Sequence, residues 1–407
     1  MAGVLVNVRV LDLSRHLAGP SAAQMLGDLG AEVIKVERPR EGDDMRGFGP
    51  PFLKDRRGND TRETSSFFAA NRGKKSVTLD ISTPEGQELA RRLAAKCDVV
   101  VENFRPGTLD RHGLGFQGIK AVRPDIIYCS ITGFGQDGPY RDRAGYDSIL
   151  QAMGGLMSVN GLPDGEPGGG PMKCGTAIAD MVTGLYACVA ILGAIVHRKE
   201  SGCGQHIDLA LLDSQISIMA LENARFLMNG VLPQRVGNVS RNMVPTQTFK
   251  CKDGHLAISI TNNRQFLKLV ELMGRPDLGS DERYADYGAR RRNRHLLIPV
   301  LEEIFLTRTA QAWTDLLTPA AIAAGEVKNL KQVFDDPQVR HRKMRIELEH
   351  GVIGAVPLVG NPIKYSATPV SYNLPPPMLG EHTREVLREL AGMDDETMNN
   401  LVARGII

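Results

Sequence analysis

Aromatic side chains are scarce: twelve Phe, eight Tyr and a single Trp in 407 residues. Base-stacking platforms and carbohydrate-stacking surfaces are therefore excluded as dominant features. Neither sign of charge is in excess. The 49 Lys and Arg stand against 47 Asp and Glu, a formal net of +2, which argues against a nucleic-acid binder held by a bulk phosphate-seeking field. Long hydrophobic runs are missing too. The longest uncharged apolar stretch, Met181 to Val196, is sixteen residues, short of the ~20 that span a bilayer, so it reads as a buried helix and no membrane partner is expected. The six cysteines (Cys97, Cys129, Cys174, Cys188, Cys203 and Cys251) form no C-x-x-C pair and no zinc spacing. No metal site or disulfide framework is expected, and the thiols read as reduced ones in a cytoplasmic protein. The opening MAGVLVNVRVLDL has neither the basic nor the long apolar region of a signal peptide. There is no Walker A motif and no G-x-S-x-G elbow, so ATPase and hydrolase readings lose their support. A literal G-x-G-x-x-G occurs at Gly133–Gly138, but Pro139 follows and no helix opens. It reads as a strand-to-loop turn, and no nucleotide cofactor is expected.

What is present is α/β texture. At ~150 residues per domain the length suggests two or three domains, and 42% hydrophobic residues suffice for a sizeable core. Residues 8–13, 31–36, 98–102 and 125–132 read as strands, and 20–28 as a helix ending near Gly30. Thr83 and Pro84 supply an N-cap and a first-turn proline for a helix through ELARRLAAKC. Alternation at this spacing implies right-handed βαβ units and a mainly parallel sheet. A Gly/Pro loop covers 160–174, a helix about 180–199, a strand HIDLALL, and a helix 215–230. From 240 the texture changes: TFKCKDGHLAISI reads as a hairpin turning at Asp253-Gly254. Helices follow at 263–273, 289–307 and 309–317, with two more near 382–391 and 394–403.

Asp180 is the carboxylate that stands out. It falls at the mouth of the apolar helix beside a Gly-rich loop. Asp there is often only a cap. A helix dipole also favours the ionised, nucleophilic form, and Gly175 and Gly184 leave backbone free to approach an acyl group. The loop Ser14–Pro20 follows the first strand, where ligands bind in open α/β sheets. Basic residues gather at other strand ends: Arg38 and Arg40, Lys74 and Lys75, Arg105 and Arg111. Singly each reads as a surface charge; together they suit a polyanionic small ligand.

These segments resemble family III CoA-transferases, the group of formyl-CoA transferase and the carnitine CoA-transferases. The likeness covers nearly the whole chain and rests on VRVLDLSRHLAGP, GDLGAEVIKVERP, NRGKKSVTLD, VENFRPG, LDRHGLG, IIYCSITGFGQDGP, AGYDSILQAMGGLMS, VFDDPQV and LGEHT. The resemblance implies an α/β fold: a Rossmann-like large domain from 1–224 and 336–407, a smaller α+β domain at 225–335, and an interlocked, ring-like homodimer. It implies Asp180 as nucleophile, passing through aspartyl-anhydride and aspartyl-CoA thioester intermediates, with coenzyme A as co-substrate and no metal. CoA positions carry over to His16, Ala18, Arg38, Asn103, Phe104 and Arg111, with Lys75 and Arg143 as further matches. Leu17 stands where formyl-CoA transferase has glutamine, which speaks against formyl/oxalate exchange.

Two rivals share the likeness. The 2-methylacyl-CoA racemases need a His/Asp pair in a G-H-D segment, and this chain has Gly145-Tyr146-Asp147; a phenol of pKa ~10 is a poor neutral-pH base. A non-catalytic CoA-binding protein would have lost its nucleophile, and Asp180 is intact. Within the family, Gly42–Phe52 is similar to the succinyl-CoA:glutarate and related dicarboxylate enzymes. Succinyl-CoA as donor and a C4–C5 acid such as itaconate as acceptor are expected, with glutarate, malate, citramalate and mesaconate as alternatives. Leu17 and Tyr146 are acyl-site candidates, and Arg46, Arg72 and Arg241 are candidates for the distal carboxylate. Lys173, in a Pro-x-Arg-x-Gly stretch of relatives, and Ala321–Glu326, where relatives have VPxGP, are departures that bear on acyl specificity.

Overall fold

The computed structural model describes residues 3–407. They divide into two compact units, one formed by residues up to Leu156, Lys173–Val231 and Gln338–Ile407, the other by Met157–Met172 and Leu232–Pro337.

The first unit is built on β1 (Arg9–Asp12), α1 (Ala18–Asp28), β2 (Glu32–Glu37), β3 (Lys74–Thr78), α2 (Pro84–Ala94), β4 (Val99–Glu102), β5 (Ile127–Thr132), α3 (Asp147–Met153), α4 (Ile178–Ser201), β6 (His206–Ala210), α5 (Leu211–Ile218) and α6 (Ala220–Asn229). The six strands are all parallel, in the order β3-β2-β1-β4-β5-β6. The order reverses between β1 and β4, so a crevice opens beyond their carboxyl ends. The strands read as continuous apolar runs because both faces are covered. One face packs Leu11, Ile34, Val77 and Val100 against α2 and the C-terminal tail. The other packs Val10, Val33, Val99 and Ile127 against α1 and α4. The N-cap reading of α2 holds: Thr83 Oγ1 accepts the Gly86 N–H, with Pro84 in the first turn.

Small residues set how closely α1 and α4 approach. A Cβ on Gly184 would lie 2.9 Å from the Ala18 carbonyl oxygen. Gly184 thus serves helix packing, not the approach of a ligand. The span 215–230 breaks into α5 and α6 at Met219, whose backbone leaves the helical region. β3 starts at Lys74 itself, so Lys74 and Lys75 lie at the amino end of a strand rather than at a carboxyl end.

The second unit holds an antiparallel sheet of β7 (Thr246–Lys250), β8 (His255–Ser259) and β9 (Ala323–Glu326), with α7 (Asn263–Leu272), α8 (Arg294–Phe305) and α9 (Ala310–Leu317). The hairpin forms as its Asp253-Gly254 turn implies, and Asp253 Oδ1 also accepts the first N–H of α9 at 2.9 Å. Trp313 is buried there, its indole N–H donating to the Phe305 carbonyl. The Gly/Pro segment 157–172 belongs to this unit because Arg235 donates to the Ser158 carbonyl and the Gly237 N–H to that of Gly161. In the first unit, β10 (Arg345–His350) and β11 (Gly354–Val359) form a hairpin, and α10 (Thr383–Ala391) and α11 (Asp395–Ala403) add Val386, Leu387, Met398 and Leu401 to the α2 face of the sheet.

Candidate functional site

The loop after β1 is held by buried charge. Ser14 gives both its N–H and its hydroxyl to Asp12 Oδ1, while Lys35 Nζ donates to the Ser14 carbonyl at 2.8 Å. The Arg15 backbone is gripped twice by Asn103, N–H to Oδ1 at 2.8 Å and Nδ2 to the carbonyl at 2.7 Å. The His16 N–H donates to Asp43 Oδ1, and His16 sits at φ +63, a region a non-glycine residue occupies only when its surroundings impose it. Lys35 pairs with Asp43 at 2.9 Å and Lys74 with Asp12 at 2.8 Å, all four side chains fully buried. Burial alone would raise Asp12 and Asp43, but their lysines hold both below the usual carboxylate range. Burial draws Lys74 down to about 8, so it stays charged at neutral pH.

The opposite wall carries Asp180, the third residue of α4. Its segment is clamped by α3. Asp147 Oδ1 accepts the Ala179 N–H at 2.8 Å, Asp147 Oδ2 accepts Gln151 Nε2 at 2.6 Å, and Gln151 Oε1 accepts the Cys174 N–H at 2.8 Å. Burial, with the negative charge of Asp147 adding to it, pushes Asp180 up to about 6. The helix dipole, which favours the ionised form, is outweighed by desolvation. The carboxylate is still mostly ionised at neutral pH and is more basic, hence more nucleophilic, than a solvated one.

Between the walls lies a cleft of about 530 Å³. It brings together Asp180, His16, Leu17, Ala18, Asn103, Phe104, Arg143 and Tyr146 from the sequence reading. His16 lies edge-on to Tyr146 with ring centroids 6.5 Å apart, and Arg15 stacks 5.0 Å over Phe104. The cleft also holds Arg105 and Lys173, already singled out for a polyanionic ligand and for acyl specificity, and four residues the sequence reading did not assign to it: Met45, Phe48, Arg141 and Asp147. Phe48 belongs to a segment already singled out, Gly42–Phe52, and Asp147 to the Gly-Tyr-Asp triplet. Nothing in their spacing says that they face Asp180.

Other expected positions fall elsewhere. Arg38 is tied to Glu41 and Asp44, and Asp44 in turn lies 3.5 Å from His16 Nε2. Arg111 is exposed on the short turn Asp110–His112, facing Thr108. Three candidates do not line the cleft. Lys75 is engaged by Glu32 and Glu385 at the amino edge of the sheet. Arg72 makes a two-pronged bond to Asp28 at 2.9 and 2.6 Å and donates to the Val359 carbonyl. Arg46 is buried between Glu37 and Glu63, 3.6 Å over the Phe67 ring. Each is paired with carboxylates of the chain itself, Arg46 and Arg72 in buried pairs and Lys75, expected at CoA, in a partly exposed one. Arg241 lies in the second unit, where it donates to the Gln234 carbonyl. Among the described residues no three His, Cys, Asp or Glu side chains gather as a metal ligand set.

The parallel sheet in Rossmann order thus carries, in one cleft, a desolvated aspartate at a helix mouth and the loop after β1. The chain belongs to CoA-transferase family III, whose sequence profile matches residues 5–383. It is 44% identical over 391 residues to the succinate–glutarate CoA-transferase of Agrobacterium fabrum, covering 95% of each chain. It is 40% identical over 403 residues to the human succinyl-CoA:glutarate CoA-transferase, covering 99% of this chain and 90% of the human one. The crystal structure of a CAIB/BAIF family protein from Brucella suis superposes with a TM-score of 0.87 at 42% identity, covering 96% of this chain and 100% of that one.

Proposed function

We propose that the protein moves CoA from succinyl-CoA to a C4–C5 dicarboxylate, with Asp180 as the covalent carrier. The Asp180 carboxylate attacks the thioester carbon and expels CoA thiolate, leaving a mixed anhydride. The thiolate then attacks the Asp180 carbonyl, succinate leaves, and an aspartyl-CoA thioester remains. The acceptor carboxylate attacks that thioester to form a second anhydride and release thiolate. Attack of thiolate on the acceptor's acyl carbon gives the new acyl-CoA and restores Asp180. Bond energy is exchanged at every step, so nothing need be hydrolysed.

What carries this reading is the desolvated Asp180 in a cleft whose rim bears Arg105, Arg141, Arg143 and Lys173. Those cations suit CoA phosphates and a second carboxylate. His16, Ala18, Asn103 and Phe104 form the CoA wall in this proposal, with Arg38 and Arg111 flanking it. Lys173 takes the distal carboxylate: among the described residues it has no carboxylate partner of its own, and it shares the clamped segment of the nucleophile. Glutarate is the first acceptor to test, being named in the relatives, and itaconate, malate, citramalate and mesaconate belong in the same panel.

The working form is proposed to be a homodimer in the cytoplasm. Leu185, Val189 and Val196 on α4 and Leu221, Leu227 and Met228 on α6 are exposed apolar side chains of the kind a second copy would cover. A panel of acids with succinyl-CoA, read by the mass of the new thioester, tests the assignment. Borohydride added after acyl-CoA should modify Asp180. Label elsewhere, or deuterium exchange at the α-carbon of a 2-methylacyl-CoA, would overturn it.

A further inference from the structure

β4 ends in Glu102, a buried carboxylate that the chemistry above does not use. Its Oε2 accepts the Phe104 N–H at 2.8 Å, and Phe104 is part of the cleft wall. The β4–β5 register sets Glu102 beside Ser130, whose hydroxyl bonds to the Glu102 carboxylate. That hydroxyl also lies 2.9 Å from His206 Nε2. His206 stacks on Phe116 and lines a side cavity of about 180 Å³ together with Glu102 and Ser130.

Donor counting fixes how this chain of groups must run. Ionised Glu102 is an acceptor only, so it takes the Phe104 N–H and the Ser130 O–H, and Ser130 accepts from His206 Nε2–H. Protonated Glu102 donates to Ser130 instead, Ser130 donates to His206 Nε2, and the imidazole carries its proton on Nδ1. A proton taken up at Nδ1 of the imidazole in the side cavity therefore ends on the Glu102 carboxylate, one proton passing along each bond, without any side chain changing place.

We propose that Glu102 is a positioning residue whose ionisation is coupled to CoA binding through the Phe104 N–H, with Ser130 and His206 as its proton path. The ionised carboxylate makes a charge-assisted bond to that N–H, roughly twice the strength of a neutral one. Phe104 is sandwiched between that bond and the Arg15 guanidinium 5.0 Å above its ring, and Arg15 is itself locked to Asn103. Loosening Phe104 therefore loosens the wall on both sides of the strand order's reversal.

The charged and titratable groups facing Glu102 all matter to where the switch falls. Burial pushes Glu102 up to about 7, and Asp110 and Asp208 add to the push. His206 is pulled down by its own burial. The buried Tyr128 phenol beside them is held protonated, donating to the Leu114 carbonyl. Arg105 lines the same side cavity, but among the described residues no Lys or Arg bonds to Glu102. The carboxylate thus changes charge inside the physiological range.

The inference rests on the cleft being the CoA site, and free CoA is the probe. Its affinity is measured by calorimetry from about pH 6 to about pH 8.5 on Asp180→Ala protein and on Asp180→Ala/Glu102→Gln protein. In the first, affinity should fall about three- to fivefold as pH drops through ~7, beyond what the ionisation of CoA phosphate contributes to both. The amide introduced by Glu102→Gln mimics the protonated acid, so the double variant should hold the weaker affinity throughout and lack that step. Ser130→Ala, which removes a bond that favours the ionised form, should move the step to higher pH. The same step at the same pH in all three proteins overturns the coupling. If the Glu102→Gln protein does not fold, an unmoved step in Ser130→Ala overturns it alone. CoA affinity unaffected by Phe104→Ala would instead overturn the site reading beneath it.

Discussion

Asp147 Oδ1 accepts the N–H of Ala179 at 2.8 Å, one residue before Asp180. One carboxylate therefore fixes the start of α4 and, through its charge, raises the basicity of Asp180. The two effects separate by substitution. Asp147→Asn keeps an oxygen for the Ala179 N–H, loses the charge and gives up the bond from Gln151 Nε2, so the acid limb of the kcat profile should move to lower pH with a modest loss of kcat. Asp147→Ala loses the clamp as well, and kcat should drop on the order of 10–100-fold, as small misplacements of reacting groups do. An acid limb unmoved in Asp147→Asn would mean that burial alone sets Asp180.

Asp180 also has a signature in stability. Its folded pKa of about 6 lies above the ~4 of an unfolded aspartate. At neutral pH the ionised folded form is therefore strained relative to the unfolded chain. Asp180→Asn should stabilise the protein by roughly 3 kcal/mol near pH 7.5. The advantage should shrink as pH falls through about 6 and vanish near ~4, where both states of the wild type are protonated. Thermal melts of the two proteins across that range check the sign, while transfer activity in the variant should be lost.

Lys173 is predicted to read the second carboxylate. Lys173→Met should lower kcat/KM for glutarate about tenfold or more while leaving a monocarboxylate of the same length nearly unchanged, as expected for losing one charge-assisted bond. Lys173→Arg should restore most of the preference. Equal losses on both acids would assign Lys173 to CoA instead.

Arg46 is predicted to be structural. Arg46→Met leaves Glu37 and Glu63 buried without their shared cation, and such losses cost about 3–5 kcal/mol. Burial already pushes Glu63 up to about 7 with the cation in place. The variant should melt markedly lower, most of all above pH 7, where Glu63 would have to ionise unpaired. An unchanged melting temperature with a raised KM for the dicarboxylate would reinstate Arg46 as a ligand.

Much of the sheet was legible because parallel strands buried on both faces are written as short β-branched runs, as in Val99–Glu102 and Ile127–Thr132. Asp180 was legible because it sits where an apolar helix meets a Gly-rich loop. The cations were not. Lys35, Lys74, Arg46 and Arg72 look like any surface charge in sequence, and their partners Asp43, Asp12, Glu37 and Asp28 are brought beside them only by the sheet order and the loops between strands. Lys75, Arg72 and Arg46 share that reason for lying outside the cleft: a basic residue in sequence says nothing of which carboxylate the fold sets beside it. The clamp on Ala179 was hidden likewise, since Asp147 acts on a segment about thirty residues further along.

The left-handed turn at His16 has a consequence for where selection can act. Its shape is dictated from Asp12, Lys35, Asp43 and Asn103, residues spread over some ninety positions and mostly out of reach of any ligand. The loop is thus ordered once, when the chain folds, and not again with each turnover. A change at Lys35 would never touch a substrate, yet it would surface in assays as weakened thioester recognition, and a search confined to contact residues would miss it.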